Sequence, residues 1–179
     1  MTAQHSLHFD TLAAGISAQL QAAMLQIPDE ADALLEMARN GISPGAARGI
    51  TASEYEALYA IARKFCAEGD FDSALPIALQ LTLHNAMDAR FSFIAGTCLQ
   101  RKKLTVPAAG MFALALAVGG RNAAAMFRYG ECLQAESERE LAMEAFEAAI
   151  ELADGSDDLH QLRRLAAAKL GRLREKAPA

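Results

Sequence analysis

The chain repeats itself. Laid on itself at an offset of 34 residues, it gives three aligned units in one consistent register, 55–88, 89–122 and 123–156. Small residues recur as Ala62, Gly96 and Gly130 in a first helix and as Ala74, Ala108 and Ala142 in a second, where two antiparallel helices must approach closely. Larger apolar residues fill the space between. Phe65, Leu99 and Leu133 share one position; Phe112 and Phe146 share another, where Ala78 is the exception; Leu81, Ala115 and Ala149 share a third. Alanine, leucine, glutamate and glutamine dominate, β-branched residues are few, and nothing alternates at period two for the length of a strand, so the pattern predicts an all-α protein.

Spacing and pattern resemble the tetratricopeptide repeat, a helix-turn-helix unit whose stacked copies form a right-handed superhelix with a concave inner face. The first unit carries the clearest turn, with Gly69 as C-cap and Asp70 as N-cap; LQRKKLTVP and LQAESEREL are weaker versions of it. Thr51-x-x-Glu54 is a capping box that opens the first repeat helix, so the repeats are expected to occupy residues 51–156. Upstream, residues 1–50 are read as an N-terminal helical extension and dimerisation region: Leu12, Ile16, Leu20, Met24 and Ile27 form an apolar stripe, Pro28 breaks it, and a short helix from Glu30 ends at Asn40-Gly41. Downstream, Leu159, Leu162, Leu165, Leu170 and Leu173 mark one face of a C-terminal capping helix over residues 157–179, with Arg163, Arg164, Lys169, Arg172 and Arg174 on the other.

Charge is distributed in blocks. Residues 89–130 carry six basic and no acidic residues, whereas 131–158 carry ten acidic residues against Arg139 alone, so the basic final helix is expected to dock on the acidic second helix of the third repeat. A net charge of -5 disfavours binding to a phosphate backbone, and no nucleic-acid partner is expected. The uncharged stretch from Val106 to Gly120 falls short of the roughly 20 residues of a membrane span, so membrane insertion is not expected either. The start, MTAQHSLHFD, has no basic region followed by an apolar one, which reads as cytoplasmic. Cys66, Cys98 and Cys132 make no C-x-x-C pair, the four histidines are scattered, and no nucleophile or phosphate-loop motif occurs; no catalytic residue, metal site or cofactor is expected.

What remains is the groove. In this repeat the concave face is lined by the second, fifth, sixth, ninth and twelfth residues of each first helix, and the fifth positions are Tyr59, Phe93 and Phe127. Only eight Phe and three Tyr occur in the whole chain, so three aromatics at one repeat position carry information. Around them fall Arg63, Cys66, Arg90, Ile94, Thr97, Gln100, Arg101, Arg128, Glu131 and Gln134. Aromatics supply pockets for spaced apolar side chains, while Gln and Arg satisfy the carbonyls of an extended peptide. Packing of the same aromatics between adjacent repeats is the alternative reading.

Several segments resemble the class II chaperones of bacterial type III secretion, three-repeat proteins that hold hydrophobic translocator subunits before export. MARNGISPGAARGI, residues 37–50, is similar to the short helix and connector that precede the repeats in that family, and EALYAIARKFCAEGDFDSA resembles its first repeat. Asp88-x-Arg90-Phe91 with Gly96, Cys98 and Gln100 resembles the opening of its second repeat, and Phe127 with Gly130, Glu131, Cys132 and Leu133 that of its third, so the resemblance spans residues 30–155. It implies a non-enzymatic chaperone that clamps a translocator segment of P/V-x-L-x-x-P type in the groove, and a homodimer formed through the N-terminal helices. Pro76 departs from the family pattern and is expected to shorten or kink its helix; it is tolerated in the first turn if Ser73 is the effective N-cap. A scaffold or regulator binding another partner is the rival. Its best-known form, a carboxylate clamp of Lys, Asn, Asn, Lys and Arg, meets Tyr59, Arg63, Ile94, Ala124 and Arg128 here, of which only the last fits.

Overall fold

The Thr51 capping box sets the start of the first long helix. In the computed structural model, which describes residue 40 and residues 42–175, the Glu54 carboxylate accepts from the Thr51 backbone N–H at 2.8 Å and Thr51 Oγ1 accepts from the Glu54 N–H at 3.3 Å. Two donors that a helix start leaves orphaned are thereby satisfied. A single turn, α1 (Pro44–Ala47), precedes this box, and α2 runs Ala52–Glu68. Gly69, at φ 79°, ends α2 in the left-handed region, and Asp70 caps α3 (Phe71–His84) by accepting from the Ser73 N–H at 3.0 Å.

The pattern then recurs twice. Asp88 caps α4 (Ala89–Arg101), which turns into α5 (Thr105–Gly119); Asn122 caps α6 (Ala123–Ala135), which turns into α7 (Arg139–Leu152). Residues 34 and 68 positions beyond Gly69 are Lys103 and Ser137, and both are also left-handed, at φ 62° and 66°. The turns that look weak in sequence therefore have the geometry of the glycine turn, because the angle between paired helices is imposed by their packing. A short 3₁₀ turn (Asp157–Leu159) leads into α8 (His160–Glu175). All eight helices among the described residues pack in sequential pairs, a tetratricopeptide-like superhelix.

Each pair is held by a contact without slack. A Cβ added at Gly96 would lie 2.9 Å from Cε1 of Phe112, and one at Gly130 would lie 3.0 Å from Cε1 of Phe146. Both rings are fully buried, so a methyl group in either place displaces core. The first pair solves the same problem with two small residues, Ala62 and Ala78, both at 0 % exposure. The exception noted at Ala78 is thus one half of a matched exchange.

Repetition also explains an exposed face. Ser92 and Ala95 of α4 are completely buried, whereas Leu58 and Ile61, one repeat earlier, are 38 % and 45 % exposed. Helix α3 packs on α4; before α2 the described residues hold only the single turn α1. The apolar stripe Leu12–Ile27 and the helix from Glu30 lie outside the described residues, as does the expected dimerisation through them.

Two expectations need correction. Helix α3 is capped by Asp70, as the turn predicts, so Pro76 does not fall in the first turn and the helix is not shortened there: it runs on through Pro76, which sits on the exposed side. Its missing N–H removes one intrahelical bond, and the remaining ladder and the buried Ala74, Ala78 and Leu81 carry the helix. In α8 the seam is Ala166, Leu170 and Leu173, buried against Phe127, Phe146 and Ala149 with Leu162 beside them, while Leu165 is 50 % exposed. A 3.6-residue period puts Ala166 on the seam and Leu165 off it. Charged docking on α7 takes the form expected where Arg174 meets Glu147 at 2.6 Å; Arg163 meets Asp154, just past α7, at 2.5 Å, and Lys169 meets Glu131, on α6, at 3.2 Å.

The left-handed turns give a direct test. A left-handed L-residue is strained by about 1–2 kcal/mol, and glycine returns roughly 0.5–1 of that to unfolded-chain entropy. Lys103→Gly is therefore expected to stabilise the protein by about 0.5–1 kcal/mol in urea unfolding. A loss of stability would show that the side chain holds the turn.

Candidate functional site

Helices α2 and α4 are the first helices of repeats one and two, and each offers one face to a shared pocket. Tyr59, Arg63 and Cys66 follow one another by four and three residues, the spacing of a single helix face, and on α4 Phe93 and Thr97 stand four apart with Ile94 three before Thr97. Together these six bound an open pocket of about 190 Å³. Small-molecule sites are usually ~300–1,000 Å³, while a cavity of ~150 Å³ holds a benzene ring, so this pocket has the size of one large apolar side chain.

Its walls are held from behind. Phe93 is half-buried and meets the Phe112 ring edge-on, centroids 5.6 Å apart, so one side of the ring belongs to the core and the other to the pocket. Tyr59 rests on Phe91 at 5.7 Å, with the Arg90 guanidinium 5.0 Å from the centre of its ring. Arg90 is itself clasped by Asp88 and Glu56, each at 2.6 Å; these carboxylates raise its pKa, and its hydrogen bonds hold the Asp88 carboxyl below the usual range. Arg90 thus steadies the tyrosine and does not line the pocket. Arg63 is exposed at the rim, 5.9 Å from the same ring centre. The Thr97 hydroxyl donates to the Phe93 carbonyl at 2.9 Å and keeps its lone pairs for an incoming N–H. Cys66 Sγ lies 3.3 Å from Cys98 Sγ, and burial, reinforced by that contact, pushes the Cys98 thiol up to about 12.

Farther along the same row the character changes. The Glu131 carboxylate accepts from Gln100 at 3.3 Å and Arg128 at 2.9 Å and pairs with Lys169 at 3.2 Å; Lys169 also reaches Gln134 at 3.4 Å. Gln100, Glu131 and Gln134 therefore form one polar network across α4, α6 and α8. Phe127, expected in the groove, is 6 % exposed and packs on Phe146 at 5.7 Å. It repeats the Phe93–Phe112 pair one unit on, but belongs to the core cluster that α8 completes with Ala166, Leu170 and Leu173. Arg101 lies over Phe71 at 5.9 Å, near the inter-helix turn and away from the pocket.

Of the residues singled out from sequence, Tyr59, Arg63, Cys66, Phe93, Ile94 and Thr97 share the pocket and Gln100, Arg128, Glu131 and Gln134 share the network. Lys169 was missed. Its signal was available, because the 34-residue register continues past residue 156 and puts Ala166 at the position of Cys98 and Cys132.

No protein-family profile and no curated protein sequence matches the chain. Solved structures do. A type III secretion system complex from Aeromonas hydrophila superposes with a TM-score of 0.77 at 23% identity, over 81% of this chain and 97% of that one. The Yersinia enterocolitica type III secretion chaperone SycD, solved with a peptide of the translocator YopD, gives 0.68 at 21%, over 70% and 96%. PcrH from Pseudomonas aeruginosa gives 0.66 at 23%, over 70% and 95%. The chain shares the fold of type III secretion translocator chaperones.

Burial separates the three aromatics. Phe127→Ala is expected to cost about 3–5 kcal/mol of folding stability, and Tyr59→Ala about 1–2. Urea unfolding of both variants checks this, and equal losses would remove the distinction between core and groove.

Proposed function

We propose that the chain is a cytoplasmic, non-enzymatic chaperone of type III secretion that binds hydrophobic translocator proteins and keeps them soluble until export. The observation that carries this reading is the side-chain-sized apolar pocket between α2 and α4, on a fold shared with proteins solved bound to translocator segments. An extended segment lies along α2, α4 and α6 and inserts a leucine-sized side chain between Tyr59 and Phe93, while Arg63, Gln100 and Gln134 meet its backbone carbonyls. No bond is made or broken. Burying one large aliphatic side chain is worth about 1.5–3 kcal/mol, and several shallow contacts together hold a segment firmly yet reversibly. Release then needs only competition at the export machinery.

Titration with a P-x-L-x-x-P peptide is the test. Tyr59→Ala and Phe93→Ala are each expected to weaken binding by about 2 kcal/mol or more, as central aromatic anchors do. Unchanged affinity in both folded variants would remove the groove mechanism.

Self-association is the second part of the proposal. Leu58 and Ile61 are apolar and exposed, and the stripe Leu12–Ile27 is apolar on one side. Light scattering of the full chain is expected to give the mass of a dimer, and a chain beginning at Thr51 that of a monomer. Equal monomer masses for both would exclude the N-terminal region as the dimer contact.

A further inference from the structure

Cys66 occupies a groove position that is Gln100 in the second repeat and Gln134 in the third, and Cys98 occupies a core position that is Lys64 in the first. The two thiols come from different repeats and meet, Sγ to Sγ, at 3.3 Å. They differ in access. Cys66 is partly exposed and lines the open pocket, whereas Cys98 is completely buried behind it. Both belong to one packed cluster, with Ala62, Ala74, Ala78, Ile94 and Ala95 buried in it and Phe65 and Leu75 against it. We propose that Cys66 and Cys98 are an oxidisable dithiol at the floor of the pocket, closed to an intramolecular disulfide by hydrogen peroxide, and that closure weakens the pocket's hold on its segment.

The chemistry balances with one peroxide. The Cys66 sulfur, as thiolate, attacks the O–O bond; an S–O bond forms, the O–O bond breaks and the departing oxygen leaves as water after protonation. Cys98 then loses its proton and attacks the Cys66 sulfenic sulfur; the S–S bond forms, the S–O bond breaks and hydroxide takes up the proton as a second water. Two thiols and one hydrogen peroxide become one disulfide and two waters. A bonded pair sits at about 2.05 Å, so the sulfurs close by little more than an ångström. That movement draws Cys66 out of the pocket wall and ties α2 to α4 behind Tyr59 and Phe93. Burial keeps the Cys98 thiol protonated at neutral pH, so the pair rests as a dithiol until Cys66 has been oxidised. Cys132, buried one repeat away from Cys98 with its thiol pushed up to about 11, is a built-in bystander.

The effect on binding rests on the chaperone reading; the disulfide does not, and the experiment separates them. The full chain is treated with one equivalent of hydrogen peroxide, remaining thiols are alkylated, and the protein is examined by intact mass and peptide mapping without reductant. The expected product is a chain with no covalent link to another, carrying one alkyl group after unfolding, on Cys132, where the reduced chain carries three, and with the Cys66 and Cys98 peptides joined. Its melting temperature should rise by several degrees, because the crosslink closes a loop of about 30 residues in the unfolded chain. Cys66→Ser and Cys98→Ala should each abolish the linked peptide, and Cys132→Ser should leave it intact. Sulfinic acid at Cys66 with Cys98 free, or disulfides only between chains, overturns the dithiol. Affinity for the P-x-L-x-x-P peptide should fall at least threefold on oxidation and recover with a thiol reductant. Equal affinity in both redox forms overturns the regulatory half, while no binding by the reduced protein would instead refute the chaperone reading.

Discussion

The second and third repeats are built on the contact between a ring and a bare backbone. Phe112 lies on Gly96 and Phe146 on Gly130 with no space for a methyl group, and these contacts draw each second helix down onto its first. Close packing at one level of an antiparallel pair fixes the turn that joins it. That is why Lys103 and Ser137 accept a left-handed backbone that Gly69 adopts freely. The strain of two turns is small beside the apolar surface that the pairs bury. Helix packing decides the turn, and the repeat then passes the same geometry to the next unit.

The pocket arises where the repeats differ. The first pair uses Ala62 and Ala78 in place of glycine and phenylalanine, so no buried ring from α3 fills the level where α2 faces α4. Cys66, Phe93, Ile94 and Thr97 line the space beside it, and Tyr59, steadied by Arg90, closes one end. In the third repeat α8 packs down, Phe127 disappears into the core and Glu131 is neutralised by Arg128 and Lys169. One row of equivalent positions therefore holds an apolar pocket at one end and a polar network at the other. An extended segment laid along it meets an anchor first and hydrogen-bonding partners after.

Much of this was legible in the chain because a repeat states its constraints three times. The 34-residue period, the small residues facing large ones, the Thr51 capping box, the Gly69–Asp70 turn and the opposite charges of α7 and α8 follow from composition and spacing, which act locally or between neighbours in sequence. The face shared by Tyr59, Arg63 and Cys66 follows from helix periodicity alone.

Depth was not legible. Tyr59, Phe93 and Phe127 hold the same place in their repeats, yet the first two border a pocket and the third is core, because burial depends on what lies across the groove and α8 covers only the last unit. Leu165 and Ala166 exchange their expected roles for a similar reason: the direction from which α7 is met selects which side of α8 becomes the seam. Cys66 and Cys98 stand 32 residues apart at unequal repeat positions, and only the lateral packing of α2 on α4 brings their sulfurs together. Periodicity determined which residues could face one another; the tertiary structure decided how much water was left between them, since exclusion of water is a property of the surfaces that meet and not of either sequence alone.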